Sequence, residues 1–131
     1  MKYNDNDVNI KVGSYYNGAL YVAFTTKKEG NEEFFSDITK NFNHCFSYLN
    51  YIDINNNPGL IEFLEDNNIG TVVENYSIRS GFVEYPLFHF NRDVLHDIDP
   101  GGVKSFEDVM NTFFEYSEDD YENNNDDELE L

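Results

Sequence analysis

Val8, Ile10 and Val12 alternate with Asn9 and Lys11, the two-residue period of a half-buried strand. After a stretch bounded by Gly13 and Gly18 that carries Tyr15, Tyr16 and Asn17, the run ALYVAFTT (19–26) is β-branched and aromatic enough for a buried strand. A hairpin is the simplest connection. The polar segment KKEGNEE turns the chain around Gly30, and FFSDITKNF (34–42) reads as a third strand. A fourth spans 45–54, with Phe46, Tyr48, Asn50, Ile52 and Ile54 on one side and Cys45, Ser47, Leu49, Tyr51 and Asp53 on the other. Thr71 to Ile78 and Gly81 to Phe90 supply two more. Pro86 interrupts the last one, which suits an edge or a bulge rather than a central position.

Two segments change to a helical period. Asn57 is placed to cap a helix with Pro58 at its first position, and Leu60, Ile61, Phe63 and Leu64 form an apolar stripe that Gly70 terminates. Glu65 and Asp66 fall in the last turn of this helix, where its dipole disfavours each by roughly 0.3–1 kcal/mol, so something other than helix stability holds them there. Near the end, Ser105 reads as a cap, Glu107 and Asp108 fit the first turn, and Phe106, Val109, Met110, Phe113 and Phe114 recur at helical spacing. A helix over about 105–116 follows. The pattern predicts an α+β fold: one domain over 1–117, mainly an antiparallel sheet of about five or six strands, with two helices packed on one face.

The composition supports a folded body. Leu, Ile, Val and Phe make 37 of 131 residues, above the roughly 20% floor below which highly charged chains stay disordered. Charge is the anomaly, with 26 Asp and Glu against 8 Lys and Arg, a net of −18. The 19 Asn, 12 Phe and 10 Tyr point to an A/T-rich coding sequence, which should also enrich Lys, yet only six Lys occur. A small domain needs a net charge of about 2–8 for solubility, so solubility alone leaves most of this excess unaccounted for. Residues 118–131, EDDYENNNDDELEL, hold eight acids and no base and read as an acidic disordered tail. The remaining 117 residues still carry a net of −10. Such a field repels nucleic acid and anionic membranes and favours a basic protein partner, with the chain a monomer or dimer. One Cys excludes an internal disulfide, and no basic leader precedes an apolar segment, so a cytoplasmic protein is expected.

Sites for chemistry are sparse. Asp53-Ile54-Asn55-Asn56-Asn57-Pro58 resembles the start of a calcium loop, but Pro58 stands where the turn needs Gly, and Leu64 stands where a bidentate acid belongs. An Asn-rich turn ending in a helix cap is the expectation. His44 and Cys45, neighbours on a strand, point to opposite faces and cannot form a nucleophile–base pair, and His89 reads as a sheet residue. No zinc spacing, phosphate-cradling glycine pattern or serine elbow occurs, so no catalytic residue, metal or cofactor is assigned and the chain is read as a non-enzyme. The acids are the constellation of interest. Glu62, Glu65 and Asp66 close the first helix, Asp93, Asp97 and Asp99 crowd the turn NRDVLHDIDP, and Glu118, Asp119 and Asp120 open the tail. Carboxylates along one face can satisfy the Lys and Arg groups that otherwise meet phosphate.

The segments YIDINNNPGLIEFLEDNNIG (51–70) and SGFVEYPLFHFN (80–91), with YNGALYVAFTT (16–26) as a weaker match, resemble a family of small bacterial domains of unknown function carried on conjugative elements, plasmids and phages of gut bacteria. The three segments make up 43 of the 131 residues, about a third of the chain. The resemblance lends no catalytic residue. It implies an accessory protein of a mobile element, and with the acidity it leads to the expectation of an inhibitor of a nucleic-acid-binding defence nuclease, of anti-CRISPR or anti-restriction type. The alternative is a non-catalytic acidic module that binds a basic host or element-encoded protein.

Overall fold

A computed structural model describes residues 1–42 and 47–113. It is an α+β fold with eight strands in three small antiparallel sheets. A short N-terminal hairpin pairs β1 (Lys2–Tyr3) with β2 (Asn6–Asp7). A meander orders β3 (Asn9–Ser14), β4 (Leu20–Lys28) and β5 (Asn31–Asp37) side by side. The third sheet has the order β6 (Leu49–Tyr51), β8 (Val83–Phe90), β7 (Gly70–Ser80). Helix α1 is Leu60–Asp66 and α2 is Arg92–Ile98, while a third helix, α3, covers residues 100–113.

The even residues of β4, Leu20, Val22 and Phe24, face the core together with Ile10 and Val12 of β3. Across from them lie Ile38, Ile52, Leu60, Phe63, Leu64, Phe88, Phe90, Leu95, Val103 and Phe106, all buried. The two larger sheets are stitched together where the chain passes between them. Ile38 and Thr39 donate their N–H groups to the Val22 carbonyl, Thr39 bridges Ile52, and the buried Asn50 side chain donates to the Leu20 carbonyl at 2.8 Å. Tyr3 stacks on Phe24 with ring centroids 4.7 Å apart and donates its hydroxyl to the Pro58 carbonyl at 2.7 Å, so the N-terminal hairpin clamps the turn before α1.

Several elements differ from the sequence reading. The third strand ends at Asp37, because Ile38 and Thr39 leave it to join the sheets. The fourth is confined to Leu49–Tyr51 and a bridge at Ile52; Asn43, His44, Cys45 and Phe46 lie outside the described residues, so the His44–Cys45 pair does too. Asn57 does not cap α1. Gly59, at φ +74°, holds that position without a side-chain bond, and Pro58 precedes the helix. Asn57 is instead 2% exposed and donates its amide to the carbonyls of Asp37 and Asp53 while accepting from the Ser36 hydroxyl. The calcium-like segment is a turn in which both carboxylate oxygens of the buried Asp53 accept from Asn56. Asn68 in the left-handed region ends the α1 unit, and Gly70 opens β7, where a Cβ would run into the His89 carbonyl.

Pro86 lies in the central strand of its sheet, beside an irregularity in β7 between Val72 and Ser77. The bulge half of the expectation holds, and its physical reason is the missing N–H, which leaves no ladder bond to break there. Beyond it, residues 77–86 form a two-stranded ribbon that β6 does not reach, ending in a two-residue Gly81–Phe82 turn with Phe82 fully exposed.

The segment 91–100, read as a turn, is helix α2. Asn91 caps it, accepting from the N–H groups of Asp93 and Val94, and Leu95 is buried with Val94 and Ile98 packed beside it. Ser105 is not a cap: α3 starts five residues earlier, with Pro100 at its first position and Asp99 as the only break from α2. Val103 and Phe106 are buried and Met110 packs on the core, whereas Phe113 is 47% exposed and Phe114 lies outside the described residues. Among the described residues there are thus three helices rather than two.

Candidate functional site

Helix α1 presents three carboxylates and no base. Glu62, Glu65 and Asp66 are all exposed, and none lies within ion-pair distance of a cation among the described residues. Glu65 owes its awkward position at the helix end to β7, because its Oε2 accepts the Val72 N–H at 3.1 Å. This bond connects the end of α1 to the start of the strand that follows. Its neighbour Asp66 makes no such bond and points its charge to solvent.

Glu65 also lines a cleft of about 420 Å³ between the end of α1, the start of β7, the end of β8 and the start of α2. Asn68, Thr71, the exposed His89 and Arg92 share its walls, with Tyr48 and Phe90 supplying aromatic surface. Arg92 is held from the far side. Its Nε and Nη2 donate to the two oxygens of Glu107 at 3.1 and 3.2 Å, its Nη1 reaches Asp93 at 3.3 Å, and the Tyr48 hydroxyl donates to Glu107 at 2.7 Å. Arg92, and after it Tyr48, hold the Glu107 carboxyl below the usual carboxylate range, while burial, and then the same carboxylate, push the Tyr48 hydroxyl up.

A carboxyl lowered in the fold gives stability that is present above its unfolded pKa and is lost as pH falls through the folded one. Replacement of Glu107 by glutamine is therefore expected to destabilise the protein at pH 7 by about 1 kcal/mol, after allowing for solvent screening. The gap to the parent should close as pH drops below the carboxylate range. Urea melts of both proteins at pH 7 and pH 3 check this.

The other predicted acids divide into three fates. Asp93 sits in the first turn of α2, where the dipole favours it, and Asp97 is exposed on the same helix. Asp99 is committed to the fold: one carboxylate oxygen accepts the Val12 N–H at 2.9 Å and the other the Gly102 N–H at 3.0 Å. Glu118, Asp119 and Asp120, with the rest of the tail, lie outside the described residues. Of the predicted acids the fold thus brings Glu65 to the cleft, where it shares the walls with Arg92, and it separates Glu65 from Asp99, which sits against β3. Sequence reading missed Tyr48, Arg92 and Glu107, whose separations of 59 and 15 residues follow no local period.

Among the described residues, no group of three or more His, Cys, Asp or Glu side chains is placed to hold a metal ion, and no helix is long and apolar enough to cross a membrane. Residues 9–110 match the family model described as Domain of unknown function (DUF4313). No curated protein and no solved structure matches the chain.

Proposed function

The chain belongs to that family of domains of unknown function, and we propose that it is a non-catalytic, acidic binding protein whose partner is a basic protein surface of the kind nucleic acid occupies. The observation that carries the reading is the acidity of α1, where Glu62 and Asp66 face solvent outside ion-pair distance of any cation among the described residues and Glu65 is exposed on the same helix. Carboxylates left free in this way meet the Lys and Arg groups of a nucleic-acid groove through charge-assisted hydrogen bonds. In a mobile element's host, the partner of this chemistry is a defence nuclease, and the protein acts as its inhibitor from the cytoplasm.

An electrophoretic competition assay against CRISPR effectors and restriction enzymes tests it. The protein and the nucleic acid should exclude each other, and the interaction should weaken as salt rises. The double variant Glu62→Gln, Asp66→Asn keeps the Glu65 bond to β7 and is expected to bind the partner about tenfold more weakly or worse. Inhibition indifferent to salt and to this variant would sink the proposal.

Phe82 favours a second reading. A fully exposed aromatic at a hairpin tip suits insertion into an apolar protein pocket, so the module would dock on a basic protein without occupying its groove. A ternary complex with nucleic acid distinguishes it.

A further inference from the structure

The outer face of the β3–β4–β5 sheet is turned away from the core, and cross-strand pairing sets its rows. Lys11, Ala23 and Asp37 lie in one row, and Asn9, Thr25 and Phe34 in the next. The central residues are small and the flanking ones long, so they leave a trough of about 280 Å³. Ala23 and Thr25 form its floor, Lys11 one wall and Phe34 the other, with Tyr21 at one end and Glu32 and Glu33 at the opposite end. Thr25 is 4% exposed, and its hydroxyl is the one buried side-chain polar atom among the described residues that has no hydrogen-bond partner. An orphaned hydroxyl is costly to bury, and its position in the wall of a cavity points to a ligand group that completes it.

The lining selects the class of that group. The lining holds one ammonium, Lys11, against Glu32 and Glu33, so the balance is negative and an anion is disfavoured. An apolar guest would leave the hydroxyl unsatisfied. Phe34, 65% exposed, supplies aromatic surface to the trough. Guanidinium answers all three features, because it is planar, stacks on aromatic faces and carries five donors, whereas an ammonium is a compact, strongly hydrated point charge.

We propose that this trough receives an arginine side chain of the partner, stacked on Phe34 and donating to the Thr25 hydroxyl and to Glu32, which shares the outer face with Phe34. The exposed chains of Lys11 and Glu32 swing aside to admit it. The inference rests on the reading that the partner is basic, and it names where one of its side chains is read.

The test is a titration of the full-length, ¹⁵N-labelled protein with N-acetyl-arginine amide, followed by backbone amide shifts, with the lysine and citrulline analogues alongside. Saturable shifts confined to residues 23–25 and 32–34, at least about tenfold weaker for lysine and for citrulline, are expected. Thr25→Val, nearly the same shape without the hydroxyl, should weaken arginine binding about tenfold, and so should Phe34→Ala, which alters an exposed position and does not depend on how the first variant folds. Shifts spread over the α1 acids, equal for arginine and lysine, or unmoved by both substitutions would overturn the site. Competition with nucleic acid in the absence of arginine-selective shifts also overturns it. Arginine-selective shifts without competition leave the trough standing and remove only the nucleic-acid mimicry.

Discussion

Asn57→Ala is expected to destabilise the protein by about 3–5 kcal/mol, against the roughly 1 kcal/mol that loss of a helix cap would bring. The difference lies in what the side chain touches. Its amide donates to the Asp37 and Asp53 carbonyls, both at 2.9 Å, and its oxygen accepts from Ser36 at 2.7 Å. Truncation leaves two carbonyls without their donor and opens a hole in a site that is 2% exposed. Asn57→Asp should be no milder, since it turns a carboxylate oxygen toward a carbonyl. Ser36→Ala removes a single bond and should cost about 1 kcal/mol. Urea denaturation of the three variants gives the ordering, and a loss near 1 kcal/mol for Asn57→Ala would refute the account of the turn as the joint between β5 and α1.

The second large effect is at the junction of α2 and α3. In an ordinary helix interior, glycine to alanine is stabilising by up to about 1 kcal/mol. Gly102→Ala is expected to reverse that sign and cost about 2–4 kcal/mol, because a Cβ there would meet the Val12 carbonyl and the Asp99 carboxylate. Asp99→Ala should cost about as much by a different route, releasing the N–H groups of Gly102 and Val12 together. The two residues share one contact, so the double variant should lose less than the sum of the singles. Additive losses would mean that Asp99 and Gly102 act independently.

What could be read in advance follows from the range of the forces involved. The period-two runs at 8–12 and 19–26 and the stripe at 60–64 depend on neighbours a few positions away, and these elements stand where the pattern put them. The family resemblance was legible in the same segments that the family model now covers. Helix α2 was hidden because its stripe of Val94, Leu95 and Ile98 is short and its acids dominate the segment. Asn57 could not be assigned correctly, because its partners come from β5 and from the turn itself, and a cap and a buried joint look alike in sequence. Asp99 read as surface charge for a similar reason: its acceptor role depends on Val12, 87 residues away. Of the candidate site, the α1 carboxylates were visible locally. The trough was not, since it exists only where Lys11, Thr25 and Phe34 come side by side across three strands.

The tip of the ribbon, Arg79 to Glu84, is held by the pairing between β7 and β8, while its base is tied to the body where Tyr85 packs on Phe42 and the Pro86 carbonyl accepts the Ile52 N–H. The amides of the tip should exchange with deuterated solvent well before those of Phe88 and Phe90, through openings that leave the body intact. The molecule would then be a stiff block with one soft limb, able to change its reach without melting.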